Sequence, residues 1–327
     1  MEKRCCPCIS QFKQSLTKPK KKKPKTSMST ILEQRSILAR NPHRSLWGEA
    51  WTHRQGIVGS FLLFAFAFMA IFGPLLAPHD PIAIDLGNPF AEPAWLDLEN
   101  GTGVMGTDNL GRDVFSRVLV GSRISLLIGT TATIVGLAIG IAMGLIAGYR
   151  GGLAGDIIMR VADTQTAIPF LVLLIAAVAF IGGGMLNIIL FLGIGAWVGY
   201  ARLIRGEVLS LRERDFVDAA RAIGAGDMRI MFRHILPNAV APVIVTSTLS
   251  FGSMILTESA LSFLGFGVST LIPTWGKMVA DARDYITTAW YPSVFPALAI
   301  MLVVLGANLL GDWLRDILDP RLRGRQN

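Results

Sequence analysis

The chain has 327 residues, of which 52% are hydrophobic and 17% are charged, and its mean hydropathy is +0.50. Soluble domains carry charge on about a quarter of their residues, so this composition excludes a soluble enzyme and a disordered chain and indicates a membrane protein. Cys5, Cys6 and Cys8 lie together ahead of any apolar segment, which argues against a secreted disulfide framework and leaves too few ligands for zinc.

Residues 1–56 form a basic N-terminal arm, in which 13 Lys or Arg residues face three Glu residues. The arm has no apolar stretch long enough to cross a bilayer, and it is too long for the basic region of a cleaved signal peptide. We expect a largely disordered cytoplasmic arm that is attracted to anionic lipid head groups or simply solvated, and no binding of nucleic acid.

The first two predicted spans are uncharged helices at 57–76 and 124–148. Each has at least the roughly 20 residues that cross about 30 Å of hydrocarbon. The second carries glycines at four-residue spacing, and these share one helical face: Gly136, Gly140, Gly144 and Gly148. Small residues on one face let two helix backbones approach closely, so we interpret them as a packing surface within the bundle and not as a ligand site.

Residues 167–200 carry no charge and are interrupted by three glycines at 182–184. This pattern predicts a tight helical hairpin, whose first helix begins near 156–163 and continues through Pro169. Further spans at 239–257 and 294–311 bring the total to six, whereas the apolar stretch at 261–273 is too short to cross and is expected to be interfacial or packed on the bundle.

The distribution of charge orients these spans. The arm, residues 149–160 and 201–238, and the segment after 311 hold 26 of the 31 Lys and Arg residues, whereas 77–123 holds seven acidic residues. Because cytoplasmic loops are enriched in Lys and Arg, we expect an all-α, polytopic membrane bundle of six transmembrane helices with both termini in the cytoplasm. The expected organisation is an arm at 1–56, a six-span domain at 57–311 with an external loop at 77–123 and a cytoplasmic loop at 201–238, and a cytoplasmic tail at 312–327.

The sequence contains no phosphate-binding loop of the form Gly-x-x-x-x-Gly-Lys-Ser/Thr. The four histidines are scattered without a metal-binding pattern, and no nucleophile or pair of acids suggests hydrolysis. We therefore expect that the chain is not an enzyme, does not hydrolyse ATP itself, and binds no metal or cofactor.

The cytoplasmic loop contains a compact motif at 215–238, which predicts two short helices joined at Gly224 and limited by Pro237. Phe216, Ala219, Ala220 and Ile223 are expected to share one face of the first helix. An amphipathic helix-turn-helix held on a membrane bundle is suited to insertion into a groove on a soluble partner.

At Asp218-Ala219-Ala220, Gly224 and Leu236-Pro237 the chain resembles the inner-membrane permease subunits of binding-protein-dependent ABC importers. Their cytoplasmic signature has Glu-Ala-Ala, a glycine four residues after the last alanine, and a closing proline; here Asp218 replaces the Glu.

A second motif precedes the second span and resembles the peptide/nickel branch of that family, which includes dipeptide and oligopeptide permeases. Its residues are Gly106, Thr107, Asp108, Gly111, Arg112, Asp113 and Arg117. Matching stretches occur at 147–152, 261–276 and 308–320, so that the resemblance covers residues 50–323.

The resemblance implies a subunit of the bacterial inner membrane that forms half of a pathway for di- or oligopeptides. It implies as partners a homologous second permease, two cytoplasmic ATPases that bind ATP and Mg, and an external peptide-binding protein. The residues that would couple to the ATPases are Asp218, Ala219, Ala220, Gly224, His234 and Pro237.

Several alternatives stay open at this point. The same machinery could carry nickel, glutathione, opines or antimicrobial peptides, and a channel or secondary transporter is the remaining other class. The second motif is equally compatible with contact to the binding protein or outer gate and with local Arg–Asp pairing on the outer end of the bundle. Asp163 and Glu258 lie near predicted span ends, so neither is assigned as a substrate ligand.

Overall fold

The protein is described here by a computed structural model that covers residues 54–98, 101–268 and 272–318. Of the predicted arm at 1–56, residues 1–53 lie outside the described residues, as do residues 319–327, and residues 54–56 begin the first described helix. Within the described ranges the elements are helical, apart from one isolated antiparallel bridge between Thr107 and Asp113.

Ten α-helices follow in chain order along the described ranges. They are α1 (Arg54–Leu76), α2 (Val114–Tyr149), α3 (Gly152–Thr166), α4 (Phe170–Ile181), α5 (Met185–Leu211), α6 (Asp215–Ala222), α7 (Asp227–Arg229), α8 (Val240–Phe263), α9 (Trp275–Ala282) and α10 (Tyr291–Leu318). A π-helix (Ile230–Ile235) and a 3₁₀ turn (Leu236–Ala239) join α7 to α8, and a second 3₁₀ turn (Arg283–Tyr285) follows α9.

Five helical stretches are long and apolar enough to cross a membrane: α1, α2, α5, the continuous stretch Asp227–Phe263 that contains α8, and α10. The α3–α4 pair becomes a sixth if it is counted as one broken span. Ala162 of α3 lies in a buried cluster with Ala201 of α5, and Leu174 of α4 lies in a cluster with Leu192. Both helices of the pair thus contact α5, each at a different part of it.

The prediction that one helix runs through Pro169 is wrong. Helix α3 ends at Thr166, α4 begins at Phe170, and the two are bent by 88°. Proline has no backbone N–H to donate, and it disfavours the helical conformation at the preceding residue, Ile168. The absence of charge predicted membrane burial here but carried no information about this break.

Two predicted spans are longer in the structure than in the sequence pattern. Helix α2 begins at Val114, ten residues before the predicted start, because the side chain of Asp113 caps its N-terminus. Helix α5 continues to Leu211, so that the first third of the predicted loop at 201–238 is helical. The two ends of α2 define two ends of the bundle: the α9 end, near Val114, and the α6 end, near Tyr149.

The predicted glycine surface faces α5. A Cβ atom on Gly136, Gly140, Gly144 or Gly148 would lie within 3.0 Å of a side-chain or backbone atom of α5. Gly193 of α5 is equally close to Val135 of α2. The two backbones therefore approach at a separation that only residues without a Cβ allow, and this contact forms the centre of the bundle.

Candidate functional site

Helix α6 is amphipathic, and its apolar face is buried against the bundle. Val217 and Ala220 are three residues apart, share a helical face, and are 0% and 4% exposed. They pack in one cluster with buried residues of α2, α5 and the segment after α6: Leu145, Ile204, Val208, Leu211, Ile230, Met231 and Ile235. The expectation that Ala220 shares one face with Phe216, Ala219 and Ile223 is therefore wrong, since Ala220 is buried in the protein's own core and the other three are exposed.

A glycine turn ends α6. Gly224 has φ +79°, a left-handed conformation that is costly for residues with a Cβ. Its N–H donates to the carbonyl of Arg221 at 2.9 Å, and the N–H of Ala225 donates to the carbonyl of Ala220 at 3.0 Å. This pair of hydrogen bonds is the Schellman arrangement that closes helix C-termini, so Gly224 fixes the direction in which the chain leaves α6.

The second arm of the motif continues without interruption into α8. Pro237 lies in the 3₁₀ turn and does not end the helical path, contrary to the prediction. Because proline has no N–H, the carbonyl of Arg233, four residues earlier, has no α-helical donor, and the path passes this point as a π-helix followed by a 3₁₀ turn. Next to the proline, the side-chain amide of Asn238 donates to the carbonyl oxygen of His234 at 2.6 Å.

The solvent-facing side of this motif carries large apolar side chains. Ile223 is 85% exposed, Met228 is 61% exposed and Phe232 is 52% exposed; Phe216 and Ala219 are also exposed. We call Phe216, Ile223, Met228 and Phe232 the turn surface. Met228 and Phe232 were not predicted from the sequence, although their four-residue spacing places them on one helical face.

One residue of α2 contacts both arms of the motif. The hydroxyl of Tyr149 donates to Oδ1 of Asp227 at 2.9 Å, and the guanidinium carbon of Arg221 lies 5.9 Å from the centroid of the Tyr149 ring. Arg221 also forms an ion pair with Asp218 at 3.1 Å. The pKa of Arg221 is raised above its ordinary value, chiefly by its interaction with the Tyr149 hydroxyl.

At the α9 end, the predicted external motif forms a buried ionic cluster. Arg112 Nε lies 2.7 Å from Asp108 Oδ2, and Arg117 Nε lies 3.5 Å from the same oxygen. Arg112 also lies 3.8 Å from Asp281, which pairs with Lys277 at 2.6 Å. The Arg112 and Arg117 side chains are 9% and 3% exposed, so the geometry favours the local-pairing interpretation over a free contact surface.

The remaining residues of that motif build the loop around the cluster. The Thr107 hydroxyl donates to the carbonyl of Asn88, and Asp113 accepts from the Ser116 N–H. Gly106 and Gly111 both have positive φ, and a Cβ on Gly111 would overlap the carbonyl of Asp85. These close approaches explain why the motif needs glycine at both positions.

Two acidic residues near the span ends are in different environments. Asp163 is largely exposed and pairs with Arg202 at 2.7 Å. Glu258 is 1% exposed; its Oε1 accepts from the Ser262 hydroxyl at 2.8 Å, and its Oε2 has no hydrogen-bond partner among the described residues. The described ranges contain no group of three or more His, Cys, Asp or Glu side chains placed to hold a metal.

Two stretches of the chain match known protein families. Residues 140–324, which include the glycine turn and the turn surface, match the model of the binding-protein-dependent transport system inner membrane component. The chain belongs to this permease family. Residues 45–93 also match the N-terminal transmembrane domain of oligopeptide transport permease C.

Relatives of this permease extend over nearly the whole chain. Over 289 residues it is 43% identical to the di/tripeptide transport system permease protein DppC of Pseudomonas aeruginosa. The aligned region covers 88% of this chain and 95% of that protein. The permease is 42% identical over 301 residues to the glutathione transport system permease protein GsiD of Escherichia coli O157:H7, covering 90% and 97%. The predicted peptide/nickel-type ABC importer permease is thereby confirmed.

Solved structures give the same fold at greater distance. A chain of the MetNI methionine ABC transporter in an inward-facing conformation superposes with a TM-score of 0.52 at 19% identity, over 62% of this permease and 96% of that chain. A second crystal form of the same transporter gives a TM-score of 0.51. This similarity concerns the fold of the helical bundle alone.

Proposed function

We propose that this permease forms half of the translocation pathway for short peptides and couples it to cytoplasmic ATPases through the turn surface. The observation that supports the coupling role is the exposure of Ile223, Met228 and Phe232 on a turn whose backbone is fixed by Gly224. Exposed apolar side chains on a rigid support are characteristic of protein–protein contacts. ATP and Mg would be bound by the partner ATPases, as expected from the missing phosphate-binding loop.

The coupling residues differ in the part that each would have. Ile223 and Ala219 would contact the ATPase directly, whereas the buried Ala220 would hold α6 against the bundle. Asp218 is exposed and would lie at the rim of the contact, next to Arg221. His234 and Pro237 belong to the helical path that connects the turn to α8.

Substitution of Ile223 tests the coupling role. We expect Ile223→Asp to be inserted normally but to lose co-purification of the ATPase subunits, since it places a charge at the centre of an apolar contact. Leu153→Asp is the matched control, because Leu153 is 82% exposed at the start of α3, outside the motif. Equal recovery of ATPases with both variants would contradict the proposal.

For the substrate, we propose the di- and tripeptide class. The permeases named above act on di/tripeptides and on glutathione, which is itself a tripeptide, and both are more than 40% identical to this one. The test is uptake of a labelled dipeptide, glutathione and Ni²⁺ by cells that express the complete importer with and without this permease. Permease-dependent uptake of Ni²⁺ alone would overturn the peptide assignment.

The α6 end is proposed to face the cytoplasm, with the termini on the same side. The support is the distribution of Lys and Arg along the sequence, because four segments assigned to that side hold 26 of 31 such residues. A phosphatase reporter inserted at residue 98, on the opposite side, should be active outside the cytoplasm, and one fused after residue 327 should be inactive. The reverse pattern would invert the topology and remove the turn surface from any cytoplasmic partner.

A further inference from the structure

The motif at 215–238 has two arms, and one aromatic residue of a different helix bridges them. Arg221 belongs to α6, before the glycine turn, and Asp227 is the first residue of α7, after it. Tyr149, at the last position of α2, interacts with both: its hydroxyl donates to Asp227, and its ring lies beneath the guanidinium of Arg221. Its side chain is partly buried and also packs against the core cluster under α6.

The helix that carries Tyr149 packs closely against α5. The four-glycine face of α2 packs against α5 without room for a Cβ. At the α6 end the Arg212 guanidinium, just after α5, donates to the carbonyl of Gly148 at 3.1 Å. We therefore expect a displacement of α2 to be shared by α5.

We propose that Tyr149 is the positioning residue that transmits movement of the glycine turn to the α2–α5 pair. The inference rests on the proposed docking of ATPases on the turn surface, and it adds the route by which docking reaches the membrane. Without Tyr149 the turn keeps its own Schellman closure and its apolar surface, so ATPase binding persists. What is lost is the polar connection between the moving turn and α2.

Two kinds of contact can be separated by substitution. Tyr149→Phe keeps the ring under Arg221 but removes the hydroxyl, which donates to Asp227 and also interacts with Arg221. Tyr149→Leu removes both and keeps a smaller apolar side chain against the core cluster. Asp227→Asn retains a carbonyl oxygen that can accept from the hydroxyl, whereas Asp227→Ala has no acceptor.

The experiment uses the complete importer in liposomes, with its ATPases and binding protein, and measures peptide transported per ATP hydrolysed. We expect Tyr149→Leu to bind ATPases as the unmodified permease does and to transport at least threefold less peptide per ATP. Tyr149→Phe and Asp227→Ala should each lower the ratio, the double variant should be no worse than either, and Asp227→Asn should stay near the original value.

Two results would overturn the proposal. An unchanged ratio in Tyr149→Leu would show that the turn moves the membrane helices by another route. Loss of bound ATPase in Tyr149→Leu would show that Tyr149 only shapes the docking surface. Failure of the underlying docking proposal is seen separately, as retention of ATPases by Ile223→Asp.

Discussion

Gly144 of α2 faces Ile204 of α5 so closely that a Cβ on Gly144 would lie 2.7 Å from the Cβ of Ile204 and 2.8 Å from the carbonyl oxygen of Ala201. Neither neighbour can yield easily, because one is a backbone atom and the other is the first atom of a fully buried side chain. The contact fixes the separation of the two helices.

We predict that Gly144→Ala destabilises the bundle by about 1–3 kcal/mol, the usual cost of overpacking. The measurement is the midpoint of thermal unfolding in detergent, followed by tryptophan fluorescence. Gly206→Ala on α5 is the control, since among the described residues nothing lies within 4 Å of a Cβ at that position. Equal midpoints for the two variants would argue against close packing at Gly144.

At the glycine turn, the conformation and not the available space determines which residues fit. Nothing described lies within 4 Å of a Cβ on Gly224, yet its φ is +79°. Gly224→Ala should therefore cost about 1–2 kcal/mol locally, and Gly224→Asn should cost less. Gly226→Ala should be nearly neutral, because Gly226 has φ −70° and is equally uncrowded.

ATPase co-purification measures the consequence of the Gly224 changes. We expect the order Gly226→Ala, Gly224→Asn, Gly224→Ala, from most to least ATPase recovered. If Gly224→Ala and Gly226→Ala behaved alike, the left-handed turn would not be what presents the surface.

The ionic cluster at the α9 end should be sensitive to loss of its central acid. Asp108→Asn leaves the guanidinium groups of Arg112 and Arg117 without their shared carboxylate, and breaking a buried ion pair in this way costs about 3–5 kcal/mol. Asp284→Asn is the control, because the Asp284 side chain is 76% exposed and its pair with Arg283 is worth about 0–1 kcal/mol. Thermal unfolding compares the two, and similar midpoints would contradict a buried structural cluster.

Asp113 provides a separate test of how α2 begins. Its carboxylate accepts from the N–H and the hydroxyl of Ser116, at 2.9 and 2.6 Å. Asp113→Ala should lower stability by about 1 kcal/mol, and Asp113→Ser should restore most of that loss because Ser also caps helices. Limited proteolysis between residues 101 and 116 reports the fraying of this end. No difference between Ala and Ser at this position would exclude a capping role.

The long spans could be predicted because an uncharged apolar run of at least about 20 residues matches the thickness of the bilayer core. The breaks could not be predicted equally well. Pro169 and Pro237 both lie in apolar helical patterns. Pro169 separates two helices, whereas at Pro237 the helical path continues through a π-helix and a 3₁₀ turn. Which outcome occurs depends on the packing around each proline, and a single sequence does not contain that information.

For the candidate site, the helix-turn-helix and its glycine were predictable from local spacing. The orientation of Ala220 was not, because helical periodicity groups residues on a face without saying which face meets the bundle. The ionic cluster was also hidden, since Asp281 lies far along the chain from Arg112. The role of Tyr149 depends in the same way on a hydrogen bond between residues 78 positions apart.

The π-helix at Ile230–Ile235 affects how the turn surface is rotated relative to α8. Asp227–Phe263 is one continuous helical path, in which an α-helical residue advances the direction of its side chain by about 100°, a π-helical residue by less and a 3₁₀ residue by more. The number of residues between Met228 and α8 thus sets the angle, measured about the helix axis, between the turn surface and the membrane-facing sides of α8. Removing a single residue there would mainly rotate the turn surface about the helix axis. The same apolar side chains would then face a different side of the bundle.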